Sequence, residues 1–343
     1  MMIGLLIILF LVLFLPFLFK KVEHNLEIFL FIMGIIAVTV TGVWEDKLIV
    51  KALNEPVKIT LAVLIAGILF RFSETYIRNK INVVKNFLGI KTFLFLVVVV
   101  LGLVSSVISA IIASLVLVEV ISGLKLDKNL EIKLTVISCF AIGLGAALTP
   151  IGEPLSTIAI AKLRAEPYNA DFLFLARILW IFIIPEILIL GFITSTFLGK
   201  RVKETRVATL SEEREERVAD ILLRTVKIYL FVMGLIFLGE GFKPIIDEYV
   251  VKLSHLALYW INITSAILDN ATLAAAEISP IMSLFQIKSV ILSLLISGGM
   301  LIPGNIPNII CAGKLKISSK EWAKVGIPIG LIFMLLNFLI LVF

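Results

Sequence analysis

Ten apolar stretches, joined by short polar segments, dictate most of what this chain can become. Eight approach the length of one membrane crossing: Met2–Phe19, Leu26–Val43, Val57–Phe70, Leu134–Ala161, Phe172–Leu198, Thr225–Leu238, Ile287–Ala312 and Val325–Phe343. A crossing needs about 20 apolar residues, so the third and sixth must extend into their flanks. Two further stretches, Thr92–Ile121 and Val250–Leu284, are too long for one simple crossing and carry polar breaks. Each reads as a re-entrant hairpin, two half-length helices that enter and leave on the same side. The chain has 343 residues, 60% hydrophobic and 16% charged, and no soluble domain of that length needs so much apolar surface. The expected fold is an all-α polytopic membrane protein of about eight spans and two hairpins.

Charge placement supports the hairpins. With Lys20 and Lys21 on the cytoplasmic side and both long stretches returning, that side collects Arg71, Arg78, Lys80, Lys85, Lys91, Lys125, Lys128, Lys133, the Lys200–Lys227 cluster, Lys314, Lys316, Lys320 and Lys324. The opposite side keeps Lys47, Lys51, Lys58, Lys162, Arg164, Lys243, Lys252 and Lys288, giving roughly a threefold excess inside. A net charge of +6 thus reports membrane topology, and no nucleic-acid partner is expected. Met2–Phe19 lacks a charged leader and a small-residue cleavage site, so it reads as a retained span. Cys139 and Cys311 make no disulfide framework, and His24 and His255 are too few for a histidine-built metal centre. No cofactor is expected. Residues 1–56 form two additional N-terminal spans, 57–198 a first membrane repeat, 199–220 a charged cytoplasmic linker and 221–343 a second, inverted repeat. A multi-pass protein of the cell membrane is the expected localisation.

The repeat is legible in residues. Ser109-Ala110-Ile111-Ile112 matches Ser265-Ala266-Ile267-Leu268, and Gly152-Glu153-Pro154-Leu155-Ser156 stands where the second half has Gly304-Asn305-Ile306-Pro307-Asn308. The unit is span, hairpin, broken span, span. Three crossings are an odd number, so the second copy lies upside down, as in secondary transporters. Pro150, Pro154, Pro303 and Pro307 remove backbone donors, and non-helical backbone at membrane depth survives only against protein or a water-filled cavity.

The second hairpin carries Leu268-Asp269-Asn270-Ala271-Thr272, with Glu277 beyond. A carboxylate at the bilayer centre costs roughly 2.5–3.5 kcal/mol even on an insertion scale, so Asp269 reads as an ion or proton site. The breaks add Thr149, Glu153, Ser156, Asn305 and Asn308.

These residues resemble the ion transporter superfamily, which includes NhaD-type sodium/proton antiporters, arsenite permeases, the P-protein and dicarboxylate transporters. The hairpin motif Ser-Ala-x-x-Asp-Asn-x-Thr is met by Ser265 to Thr272, and the Gly/Pro breaks stand where relatives carry Gly-Asp-Pro-Pro-Asn or similar. The likeness is closest to a little-characterised prokaryotic family assigned to cation transport, and covers about Val57 to Phe343. The first hairpin departs from it, with Ala113-Ser114 in place of Asp-Asn. Glu119 either compensates or sits near the hairpin base.

The resemblance implies a secondary transporter with alternating access, and the residues narrow the cargo. The broken segments and hairpin tips hold no lysine or arginine, while hard oxygen ligands suit Na⁺, Ca²⁺ or another hard cation. The expectation is a cation/proton antiporter, Na⁺ favoured, and not an enzyme. Asp269 binds cation and proton alternately and Glu153 adds a ligand, both serving the transported cation alone. Asn270, Thr272, Asn305, Asn308, Ser156 and Thr149 complete the shell. Glu277, Glu119 and Glu186 are candidate proton relays, although Glu186 reads equally as a protonated residue facing a neighbouring helix. Asn337 reads as a helix–helix hydrogen bond. The rival is an anion or metalloid carrier (dicarboxylate, arsenite) on the same scaffold. Partners are the cation, protons, the lipid bilayer and a second copy in a homodimer.

Overall fold

A computed structural model describes residues 1–19, 21–22, 25–54, 56–57, 60–61, 64–65, 68, 87–164, 166–199, 218–245, 254–268 and 270–342. Among them there is no strand. Helices α1 (Met2–Leu18) and α2 (Leu26–Thr41) come first. A first set follows: α3 (Ile90–Ile108), α4 (Ala110–Leu124), α5 (Lys128–Ala146), α6 (Pro154–Lys162) and α7 (Phe174–Ile193), which a π turn extends to Leu198. The second set is α8 (Val218–Ile245), α9 (His255–Ile261) with the 3-10 turn Asn262–Ala266, α10 (Asn270–Glu277), α11 (Leu284–Gly298), α12 (Ile306–Leu315) and α13 (Ser319–Val342). Five stretches among the described residues are long and apolar enough to cross a membrane: Ile90–Ile108, Lys128–Ala146, Phe174–Phe197, Thr225–Pro244 and Ser319–Val342. The chain is an all-α polytopic membrane protein. Most of the expected span Val57–Phe70, and residues 200–217 of the linker, lie outside the described residues.

The first hairpin has the expected course but longer arms. Ser105 and Ser106 do not break α3, because each hydroxyl bonds back to a carbonyl three residues earlier (2.6 Å to Gly102, 2.7 Å to Leu103). The helix therefore runs 19 residues, enough to cross, until Ser109 turns the chain at φ 77°. Next, α3 and α5 lie side by side in the same direction. The Ser105 hydroxyl, whose one hydrogen is shared with Gly102 O, also lies 2.9 Å from the Ile142 carbonyl, Thr149 donates to the Ser106 carbonyl, and a Cβ at Gly145 would strike the Gly102 carbonyl. The returning arm, α4, starts beside the end of α5, where the Ala110 N–H donates to Gly152 O at 2.8 Å, and finishes three residues before α5 begins. The second hairpin keeps short arms of seven and eight helical residues.

Contacts between turns fix the sides. Lys128 Nζ donates to the Leu315 carbonyl at 2.5 Å, joining the start of α5 to the end of α12, and Gly199 after α7 lies against Lys91. One face thus carries Lys91, Lys125, Lys128, Lys314 and Lys316. At the far end of α7, roughly 36 Å away over 24 residues, Tyr168 donates its hydroxyl to the Met282 carbonyl, tying the α6–α7 loop to the base of the second hairpin. The two hairpins open from opposite faces. Their returning arms also exchange partners: α4 packs on α12 and α10 packs on α6. That crosswise packing is what an inverted repeat requires.

The added pair docks on the second set. Helices α2 and α8 run parallel, with Gly34 against Gly234, Lys227 3.6 Å from Glu27 at one end and Lys51 2.9 Å from Glu240 at the other.

Candidate functional site: the two helix breaks

Both breaks are built the same way. Glu153 precedes α6 with φ −155°, ψ 161°, and Asn305 precedes α12 with φ −153°, ψ 146°. A proline follows in the first turn of each helix, where its missing N–H costs nothing. Neither Glu153 nor Asn305 caps its own helix. Asparagine is among the best N-caps, so its side chain here forgoes a common local role. The Asn305 amide lies in the space a Cβ on Gly143 of α5 would fill, joining the second break to the first set.

Equivalent positions also staple each break shut. Ser156 donates to the Ala147 carbonyl at 3.1 Å, and Asn308 donates to Gly298 O at 2.9 Å and Leu301 O at 2.8 Å. The Leu301 carbonyl also accepts from the Gly304 N–H at 3.4 Å, whereas Ala147 O and Gly298 O face the interruption of their helices, where a buried unpaired carbonyl is costly. Thr149 serves the first break likewise: its hydroxyl donates to Ser106 O and accepts from the Ile151 N–H at 3.3 Å.

Expected site residues therefore meet around the breaks. Glu153, Asn305, Asn308, Ser156 and Thr149 are all buried there. Asn270, the first residue of α10, is buried, and its amide nitrogen sits 3.6 Å from where a Gly298 Cβ would stand. Among the described residues that nitrogen has no hydrogen-bond partner, and neither does Asn308 Oδ1. Asp269 and the side chain of Thr272 lie outside the described residues. Residues 149–156, 270–277 and 298–308 contain no lysine or arginine.

Three carboxylates lie apart from the breaks. Glu119 is half-buried on α4, roughly 14 Å along that helix from Ala110. Glu186 on α7 accepts from Asn337 of α13, whose amide also donates to Phe333 O at 2.9 Å. The helix–helix reading of both residues thus finds one shared bond. Glu277, at the end of α10, belongs to a buried cluster that the sequence reading missed. Asn262 Nδ2 donates to Glu277 Oε2 at 2.9 Å and to Ser293 Oγ at 3.0 Å, and Ser297 Oγ donates to Asn262 O at 2.6 Å. The one visible signal was the helical spacing of Ser289, Ser293 and Ser297. Cys139 and Cys311, distant in sequence, bring their thiols within hydrogen-bond reach across the α5–α12 contact, and both are free.

No curated protein matches this chain. Residues 2–343 match the family model described as "Protein of unknown function (DUF1646)", and the chain belongs to that family.

Proposed function

We propose that the protein is a secondary active transporter of a small inorganic cation, working as a Na⁺/H⁺-type antiporter with alternating access. One observation carries this reading most: two helix breaks of matching backbone geometry, one bearing Glu153 and the other Asn305, packed crosswise between two hairpins that open to opposite faces. The resemblance of Ser265 to Thr272 to the ion transporter superfamily adds Asp269 to the same region. Glu153 and Asp269 supply negative charge, and Asn305, Asn308 and broken-helix carbonyls supply neutral oxygens. Such a set suits a hard monovalent or divalent cation.

A second reading draws on the N-termini of α6 and α12, whose partial positive charge lies at the breaks and favours anions. Glu153 stands at the first of them with no basic residue nearby in sequence, which favours the cation.

The test is equilibrium binding of radioactive sodium to purified protein across pH. Binding should strengthen as pH rises, because an antiporter binds cation and proton in mutually exclusive states, and should fall at least tenfold in Glu153→Gln. Absence of binding by any alkali or alkaline-earth cation, with saturable binding of an oxyanion or dicarboxylate, would move the protein to the second reading.

A further inference from the structure

The pocket around Glu277 has a closed hydrogen account that leaves two atoms over. Glu277 is 2% exposed, and Asn262, Ser293 and Ser297 are 0% exposed. Both amide hydrogens of Asn262 are engaged, one on Glu277 Oε2 and one on Ser293 Oγ. The Ser293 hydroxyl donates to Val290 O at 2.9 Å, and that of Ser297 to Asn262 O. These donors are used, yet among the described residues Glu277 Oε1 and Asn262 Oδ1 remain without a partner. Both are acceptors.

One added hydrogen satisfies both. A proton on Glu277 Oε1 can be donated to Asn262 Oδ1, while Asn262 Nδ2 already donates to Oε2, giving a carboxylic acid–amide pair bonded in both directions. A hard cation gathers roughly six oxygens or more, whereas among the described residues the side-chain oxygens without a partner here are Glu277 Oε1 and Asn262 Oδ1. The same pattern recurs at Glu186, where Asn337 donates to Oε1 while Glu186 Oε2 and Asn337 Oδ1 have no partner. Tyr259, one turn before Asn262, donates to Met334 O at 2.7 Å and so stands between the two pairs.

We propose that Glu277 and Asn262 form a proton-binding site, separate from the cation cradle at the breaks, and that the coupled proton rides on Glu277. This rests on the antiport reading above and assigns its proton. Coupling follows from α10 itself. Asn270 opens the helix at the cradle and Glu277 closes it, about 10 Å away, so a shift of α10 that alters cation contacts also opens or closes the acid–amide pair. Release leaves a carboxylate still held by the Asn262 amide, and the proton passes to water at the base of the hairpin. Charged groups on elements packed against α10 are Glu153 and Lys162 flanking or ending α6, Lys288 of α11, and Lys227, Glu240 and Lys243 of α8. Lys227 pairs with Glu27, and Glu240 with Lys51 and Lys243.

Glu277→Gln is the decisive variant because it imitates the protonated acid, keeping an acceptor for Asn262 Nδ2 and adding a donor for Oδ1. In proteoliposomes it should retain sodium–sodium exchange, while sodium-driven proton efflux falls at least tenfold. Infrared spectra of wild type at neutral pH should show a protonated carboxyl band, part of which Glu277→Gln removes. Asn262→Asp places two carboxyls in one site and should move the pH midpoint of proton efflux upward. Wild-type proton efflux in Glu277→Gln, an unchanged infrared band, or an unmoved midpoint in Asn262→Asp overturns the proposal. If wild type moves no cation at all, the antiport reading fails, and the infrared comparison still judges the proton site.

Discussion

Asn308 uses both amide hydrogens to hold the carbonyls of Gly298 and Leu301, at a place where helix α11 has ended inside the protein. Removing the amide strands the buried Gly298 carbonyl and leaves Leu301 O only the longer bond from the Gly304 N–H at 3.4 Å, each loss costing about 1–3 kcal/mol. Asn308→Ala should therefore destabilise the protein by about 2–5 kcal/mol, seen as a lowered midpoint of thermal unfolding in detergent. Ser156→Ala removes one such bond and should cost about 1–2 kcal/mol. Equal, negligible effects would show that the breaks are not held by these side chains. Both residues were legible as break residues from their Gly/Pro neighbours, but their donors serve the fold, which spacing alone does not reveal. Glu277 shows the opposite limit. Its partners Asn262 and Ser293 come from other segments, and only tertiary packing brings them to one carboxyl.

At the scale of elements, the close approach of α3 and α5 depends on the bare surface of Gly145 over the Gly102 backbone. Gly145→Ala should cost about 1–3 kcal/mol through overpacking, with the same unfolding assay as the check; an unchanged midpoint would contradict the packing described. The proline- and glycine-marked breaks were readable in sequence because each removes helical bonds at a fixed position. The length of the first hairpin arm was not. Ser105 and Ser106 look like a polar interruption, yet each satisfies its hydroxyl on the preceding turn and the helix continues to Ser109. In the second hairpin the 3-10 turn Asn262–Ala266 does shorten the arm, and there the half-length expectation holds. The difference lies in where polar groups find partners: Ser106 within its own turn, Asn262 on α11, where its amide donates to Ser293 and its carbonyl accepts from Ser297.

For the molecule as a whole, the charge asymmetry read from sequence gains a structural counterpart in Lys128 and Leu315 on one face and Tyr168 and Met282 on the other. In a background of Cys139→Ala and Cys311→Ala, single cysteines replacing Lys125 and Lys316 should react with a membrane-impermeant maleimide from one side of the vesicle. One replacing Arg164 should react only from the other side. Labelling of all three from the same side would contradict the inverted arrangement. That arrangement sets the second break, through Asn305, against Gly143 of the helix that leads into the first, and the proposed transport is to be tested there. The most direct measurement is proton efflux from proteoliposomes loaded with a pH-sensitive dye, after addition of Na⁺, Li⁺, K⁺ or Ca²⁺ outside. The account predicts efflux driven by one of these cations and lost in Glu153→Gln and Asp269→Asn. Silence with every cation from folded protein, or full efflux in both variants, would contradict it.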